Sequence, residues 1–259
     1  MSVPWDPQLY LKFDRERTQP AIDLAARIEV AKPRKIIDLG CGPGNSTAVL
    51  SRRWPEAEMT GLDSDDEMLR AARRDYPSQY WLQQDAATWE SREGYDVVFS
   101  NAMLQWLPDH SDVLDRWFGS VAHGGALAVQ IPVNLNSPIH RHILELADDP
   151  RWKNAIGSAR RALYAKEPNE YYDILSPLTQ KFELWVTEYC HILNGPEDIL
   201  SWMRGTGLRS FLSVLPADAD RAAFEGALLE RVTTSYPRQQ DGKVLFPFRR
   251  LFFVAYKER

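Results

Sequence analysis

The sequence predicts an α/β fold in which a mostly parallel sheet carries helices on both faces. Two observations predict it. Between residues 35 and 131, short β-prone runs take turns with stretches of helical apolar spacing. Strands alternating with helices imply βαβ units joined by right-handed crossovers. The first of these runs also leads into I-I-D-L-G-C-G-P-G-N-S-T from Ile36, which reads as a buried strand, a glycine loop and the opening of a helix.

The elements follow in order. Residues 17–30 have helical apolar spacing, with Pro20 near the start. Strands are predicted at 35–39, 58–62, 80–84, 95–100 and 125–131, and helices between them at 45–54, 65–76 and 111–121. The alternation stops after Pro132. Residues 137–175 read as helices rich in aromatics, and 182–193 alternates as a long strand. Residues 196–235 are helical again, broken near Gly205, Gly207 and Pro216. The apolar, β-prone run 245–257 reads as a last strand. Five core strands and two late ones make a seven-stranded Rossmann-like sheet. The expected division of this one domain is an N-terminal helical cover (1–34), a core (35–132), helical cap insertions (133–181 and 194–244) and late strands (182–193 and 245–257). The cap is expected over the C-terminal edge of the sheet, where open α/β sheets bind ligands.

The 259 residues suit a single larger α/β domain. With 31 basic against 36 acidic side chains, the net charge of −5 argues against a nucleic-acid partner, which needs a clear basic surplus. It leaves room for a small anion held in a local basic pocket. Two cysteines, Cys41 and Cys190, rule out a disulfide framework and suit a reducing compartment. No apolar run is long enough to span a membrane, and the first residues lack the basic start and apolar core of a signal peptide. A cytoplasmic protein is expected.

In the glycine loop, Gly40, Gly42 and Gly44 follow Asp38. Glycines there allow positive φ and close backbone approach to a ligand, and the helix N-terminus offers unpaired N–H groups to an anion. The spacing differs from the G-x-G-x-x-G of dinucleotide binders. Two more strands end in acids, at Asp63 and Asp85. A carboxylate at a strand end can accept from both ribose hydroxyls or can cap the next helix. Three acids ending three successive strands favour a cofactor. The fourth strand ends at Asn101, followed by Ala102–Met103–Leu104.

Other candidates carry less. Cys41 lies in the loop with no base to activate it and reads as a small spacer. His140 and His142 read as surface residues, with no pattern that completes a metal site. The acids at 65–67 suit the positive end of a helix dipole. Basic residues gather at 151–166 (Arg151, Lys153, Arg160, Arg161, Lys166) and at 238–259. They are either a solvated face or an anion pocket, since arginines grip carboxylates bidentately.

The D-x-G-x-G loop resembles motif I of the class I S-adenosylmethionine-dependent methyltransferases. The resemblance reaches further, to the trans-aconitate methyltransferases. It is carried by W-D-P-Q-L-Y-L-K-F-D-R-E-R-T-Q-P-A at the N-terminus, L-Q-W-L-P-D-H, Y-Y-D-I-L at Tyr171, T-G-L-R-S-F-L at Thr206 and F-P-F-R-R-L-F-F-V-A near the end. It implies methyl transfer from S-adenosylmethionine to one carboxylate of trans-aconitate, giving a monomethyl ester, without a general base or a metal. The implied cofactor residues are Asp38, Gly40, Cys41, Gly42, Gly44, Asn45, Asp63, Ser64, Met68, Asp85, Ala86 and Asn101. The expected substrate residues are Arg17, Arg161, Arg204, Arg209, Arg249 and Arg250, with Tyr10, Phe13, Trp106, Tyr171 and Tyr172 as walls. A malonyl thioester as methyl acceptor and a non-catalytic S-adenosylmethionine-binding protein are the alternatives.

Overall fold

The computed structural model describes residues 13–157 and 164–258. Seven strands form one sheet: β1 Lys35–Leu39, β2 Glu58–Asp63, β3 Tyr80–Gln83, β4 Tyr95–Asn101, β5 Val121–Pro132, β6 Phe182–Leu193 and β7 Val244–Tyr256. Their order is β3-β2-β1-β4-β5-β7-β6. The first five pair in parallel, while β7 runs antiparallel to β5, from Ala126 opposite Tyr256 to Pro132 opposite Arg250. β1 lies central because its residues tolerate burial on both faces: Ile36, Ile37 and Leu39 are fully buried. From β1 the chain builds outward through β2 and β3, then returns to the other side of β1 for β4. This reversal opens a crevice beyond the C-terminal ends of β1 and β4, where the glycine loop and Asn101 lie.

The crossover helices cover Asn45–Arg53, Asp66–Asp75 and His110–Gly119. Asp65 caps the second, accepting from the amides of Glu67 (2.8 Å) and Met68 (3.3 Å). The third helix stops two residues before its expected end. Val121 instead pairs with Tyr95 and starts β5, and the register then shifts before Val97 meets Ala126. The shift takes up His123–Gly124–Gly125 as a bulge, with Gly124 at φ +80°. β5 therefore begins four residues before the start expected at Gly125. The first helix, Asp14–Ala26, also ends before the expected residue 30.

The chain forms two compact units. Among the described residues, the sheet unit holds 17–133, 164–187 and 250–258; the helical unit holds 13–16, 134–157 and 188–249. β6 and β7 each run from one unit into the other. The helical unit has its own core around Trp202, Phe224 and Phe246. The sheet unit's main cluster includes Ile37, Leu39, Val98, Trp117, Tyr171 and Phe253. Helix Pro168–Leu175, expected with the cap segments, falls in the sheet unit, because Tyr171 and Leu175 are fully buried in that unit's cluster. Among the described residues, no helix is long and apolar enough to cross a membrane.

Tyr171 is tied there by a buried polar chain. Its hydroxyl contacts His110 Nδ1 at 2.8 Å and accepts from the Lys166 amide at 3.4 Å. His110 Nε2 lies 2.9 Å from the Leu104 carbonyl. A carbonyl only accepts, so Nε2 carries the proton and Nδ1 accepts from the tyrosine. Burial holds the His110 pKa below its usual value, so the ring stays neutral. Tyr171→Phe is expected to cost roughly 1–3 kcal/mol, because His110 and the Lys166 amide lose their partner. Chemical denaturation checks this, and an unchanged midpoint would refute it.

Candidate cofactor and substrate site

The glycine loop is fixed from two sides. The amides of Gly40 and Cys41 donate to the Leu62 carbonyl at 2.8 and 2.9 Å, and the Gly42 amide donates to Asp63 Oδ2 at 2.9 Å. The other Asp63 oxygen accepts from the Asp65 amide at 2.9 Å. Asp63 therefore braces the loop against β2, and each of its oxygens keeps acceptor capacity for a hydroxyl. Gly40 stands at φ +71°, and a Cβ there would lie 2.1 Å from Met103 Cγ. Gly42 stands at φ +54° with nothing within 4 Å of an added Cβ. Gly44, at φ +95°, leaves room for Trp81 and Tyr76 and starts the helix that carries Asn45.

Asp38 is fully buried. Its Oδ2 accepts from Ser46 Oγ at 2.6 Å and Thr47 Oγ1 at 2.7 Å, while Oδ1 is buried without a hydrogen-bond partner. Burial raises its pKa to about 6 against the pull of the two hydroxyls. Cys41 is buried, and burial, with Asp38 and Asp63 nearby, pushes its thiol pKa far up. That leaves it inert as a nucleophile. Asp85 is exposed and lies two residues beyond the end of β3; its Oδ1 accepts from the Ala87 amide at 2.9 Å, closing a turn at 86–88 rather than capping a helix, and Oδ2 remains for a ligand. Buried Ala86 gives its carbonyl to Trp117 Nε1 at 2.9 Å. Ser64 is exposed and Met68 half-buried at the start of the next helix.

At the end of β4, Asn101 Oδ1 is a second buried oxygen without a partner. The chain then turns through Ala102 at φ +57°, a left-handed conformation uncommon outside glycine. Gln105 braces this turn, donating from Nε2 to the Ala102 carbonyl at 2.6 Å. Two orphaned acceptors and an open glycine cradle fit a ligand that brings hydrogen-bond donors, such as an ammonium group, to the ends of β1 and β4.

The expected substrate residues fall in both units. In the sheet unit, Arg17 is half-buried on the first helix and Trp106 is exposed in the turn Leu104–Trp106. Tyr171 is buried in the core, and Tyr172 is exposed beside Phe182. Arg250 is 4% exposed, and its Nη1 donates to Gln130 Oε1 at 3.2 Å. In the helical unit, Phe13 packs on Trp202 with centroids 5.0 Å apart, and Arg209 is half-buried in the short helix Arg209–Leu212. Arg249 is exposed, its backbone amide donating to Asn134 Oδ1. Arg204 is engaged bidentately by Glu225. Tyr10 and Arg161 lie outside the described residues.

Acids just beyond the basic run at 151–166 answer part of it: Asp149 binds Arg151 through both carboxylate oxygens, and Glu170 lies 3.6 Å from Lys166. His140 and His142, read as surface residues, are half-buried and contact Ser137 (2.9 Å) and Ser235 (2.8 Å). Among the described residues, no group of His, Cys, Asp and Glu could hold a metal ion. Sequence reasoning gave no role to His110, Gln105 or Gln130. The first two stand in the resembling stretch L-Q-W-L-P-D-H, and Gln130 is a lone amide in an otherwise apolar strand.

Comparison with known proteins agrees with the fold. A family model described as a methyltransferase domain matches residues 36–125. The trans-aconitate 2-methyltransferase of Rhodopseudomonas palustris (strain BisB18) is 44% identical over 98% of this chain and 99% of its own length. That of Methylobacterium radiotolerans is 44% identical over 98% of both. Among solved structures, the YcgJ protein from Bacillus subtilis superposes with a TM-score of 0.61 at 12% identity, covering 93% of this chain and 99% of that one. The plantazolicin methyltransferase BpumL, in complex with a pentazolic desmethylPZN analog and SAH, gives 0.55 at 15% identity, covering 98% and 92%. These two share the seven-stranded class I methyltransferase fold with this chain.

Proposed function

The chain belongs to the trans-aconitate 2-methyltransferase family, and we propose that it transfers a methyl group from S-adenosylmethionine to one carboxylate of trans-aconitate, forming a monomethyl ester. The observation that carries this reading is the 44% identity to such enzymes over 98% of the chain. The site chemistry supports it. When bound, S-adenosylmethionine supplies a methyl carbon on a sulfonium sulfur; a carboxylate oxygen bonds to that carbon as the carbon–sulfur bond breaks and its electron pair goes to sulfur.

The protein's task is then positioning. Gly40, Cys41, Gly42, Gly44 and Asn45 form the cradle for the amino-acid part of the cofactor. Asp38 and Asn101 offer their orphaned oxygens to its ammonium group and to the polarised carbon atoms around the sulfonium. Asp63, beside Ser64 and Met68, takes the ribose hydroxyls; Asp85, beside Ala86, takes the adenine amine. The reacting carboxylate needs no base, because carboxyl groups ordinarily titrate near ~4. His110 is suited to structure rather than proton transfer, with both ring nitrogens engaged.

Arginines that neutralised the attacking oxygen would weaken it, so their place is on the non-reacting carboxylates. Arg250, buried at the C-terminal edge of the sheet, is the best supported of them. Arg17, Arg161, Arg209 and Arg249 remain candidates, and Trp106 is an exposed wall. Arg204 is the least suited, since Glu225 holds it. A cytoplasmic setting goes with this reading, supported by the free thiols of Cys41 and Cys190.

Turnover of methyl-labelled S-adenosylmethionine with a panel of di- and tricarboxylates and a malonyl thioester tests the proposal. Trans-aconitate is expected to be the best acceptor, and preference for another acid would overturn the assignment. Arg250→Met is expected to raise the KM for trans-aconitate by about 10- to 100-fold, the worth of one or two hydrogen bonds to a charged group.

A further inference from the structure

The strand ends around the site carry a row of polar side chains whose hydrogen-bonding character changes sign along the sheet. Asp38 pairs in register with Phe99, and Asn101 lies two residues further on, so both side chains project from the same face. Asn101 pairs with Gln130, Gln130 pairs with Phe252, and Arg250 lies two residues before Phe252. Asp38, Asn101, Gln130 and Arg250 therefore share one face, on the consecutive strands β1, β4, β5 and β7. The apolar cluster of Leu39, Val98, Val129, Ile131 and Leu251 takes the other face. With neighbouring strands ~4.8 Å apart, the row spans about 14 Å.

Asp38 and Asn101 each present a buried oxygen without a partner. Gln130 is fully buried, and its Nε2 is a buried donor without a partner. Its orientation follows from chemistry: a guanidinium can only donate, so the Gln130 carbonyl oxygen faces Arg250 (3.2 Å) and the NH2 group faces away. The row thus reads acceptor, acceptor, donor, donor. Leaving a buried amide donor unsatisfied is unfavourable by roughly 1–3 kcal/mol, which an accepting ligand would relieve.

We propose that Gln130 is a substrate-binding and specificity-determining residue, which with Arg250 forms a buried donor pair for a non-reacting carboxylate of the methyl acceptor. This deepens the reading given under Proposed function and rests on it. The sign change would orient the reaction: cationic groups settle at the β1 and β4 end and the anchoring carboxylate at the β5 and β7 end, which brings a second carboxylate of the same acid toward the methyl group. Gln130 also holds the Arg250 guanidinium through its Oε1, so it serves the carboxylate both directly and through its neighbour.

The test compares wild type with Gln130→Met, which keeps the volume and removes the donor, and Gln130→Glu, which sets an anion beside Arg250. Steady-state kinetics are run on trans-aconitate and on analogues that each lack one carboxylate, and S-adenosylmethionine affinity is measured by calorimetry. Gln130→Met is expected to raise KM for trans-aconitate by about 10-fold, and Gln130→Glu by about 100-fold, with cofactor affinity held within about 2-fold. For the analogue that lacks the anchored carboxylate, wild type and Gln130→Met are expected to have the same KM. A purely structural role would instead lower cofactor affinity and harm every acid equally. Equal losses across the panel, or a trans-aconitate KM within about 2-fold of wild type in both variants, would overturn the proposal. If the wild type methylates a different carboxylic acid, the choice of trans-aconitate falls, and the same comparison run on that acid decides the role of Gln130.

Discussion

Gly42→Ala is expected to lose only the roughly 1–2 kcal/mol of a left-handed alanine and to bind S-adenosylmethionine about 10- to 100-fold more weakly, while Gly40→Ala is expected to lose clearly more stability and to disrupt the loop itself. Both glycines have positive φ, +54° and +71°, and a left-handed conformation costs an alanine roughly 1–2 kcal/mol. What separates them is the space around the missing side chain. At Gly42 an added Cβ meets nothing within 4 Å, so the apo protein has no clash to relieve, and the methyl group stands in the cradle the cofactor needs. At Gly40 it would lie 2.1 Å from Met103 Cγ. Met103 follows the strained turn at Ala102 and has little freedom to move away, so the substitution pushes β1 and β4 apart at their C-terminal ends. Thermal unfolding and calorimetry, run on both variants, separate the two effects. Equal losses of melting temperature in the two, or normal cofactor affinity in Gly42→Ala, would remove the argument that Gly42 is open because a ligand fills the space.

Most of the sheet was legible because each of its strands carries a local signature. β1 is a short apolar run, β6 alternates, and glycines or helix caps punctuate the rest. The boundary errors come where the signature belongs to pairing rather than to sequence. The bulge at His123–Gly125 is invisible until Tyr95 is known to face Val121. The cofactor loop was legible for a related reason: glycine and strand-end acids are unusual residues in fixed positions, and a cradle needs them there whatever the surroundings.

The substrate side was less legible because it depends on partners far apart in sequence. Counting charge in the window 151–166 suggested an anion site, but Asp149 and Glu170 stand just outside that window and engage Arg151 and Lys166. Arg204 finds Glu225 across 21 residues. Nothing local tells Arg249 from Arg250, yet strand alternation leaves the first exposed and the second buried beside Gln130. An arginine is informative here only once its burial and its neighbours are known. A neutral glutamine, which charge counting ignores, carries the orphaned donor.

Asp38→Asn is expected to make the apo protein more stable at neutral pH and to bind the cofactor at least about 10-fold more weakly. Burial raises the Asp38 pKa to about 6, above the ~3.9 of an unfolded aspartate. Between these values the folded state holds a proton that the unfolded state has released. Stability therefore falls as pH rises from about 4 through 6, by up to about 3 kcal/mol in all, and stays low above that. Asparagine has nearly the same shape and carries no charge to bury. Its single oxygen can accept from Ser46 and Thr47, but that turns an NH2 group toward the position of Oδ1, where a cationic ammonium calls for an acceptor. The gain in unfolding midpoint over wild type should thus grow across pH 4–6, and apo unfolding curves at several pH values check it. Cofactor binding moves the other way. An ammonium group stabilises the ionised carboxylate, so wild-type affinity should rise as pH passes through about 6, and the variant should lack that rise. A wild-type affinity flat across this window, or an asparagine variant that binds normally, would show that the buried carboxylate is retained for the loop alone.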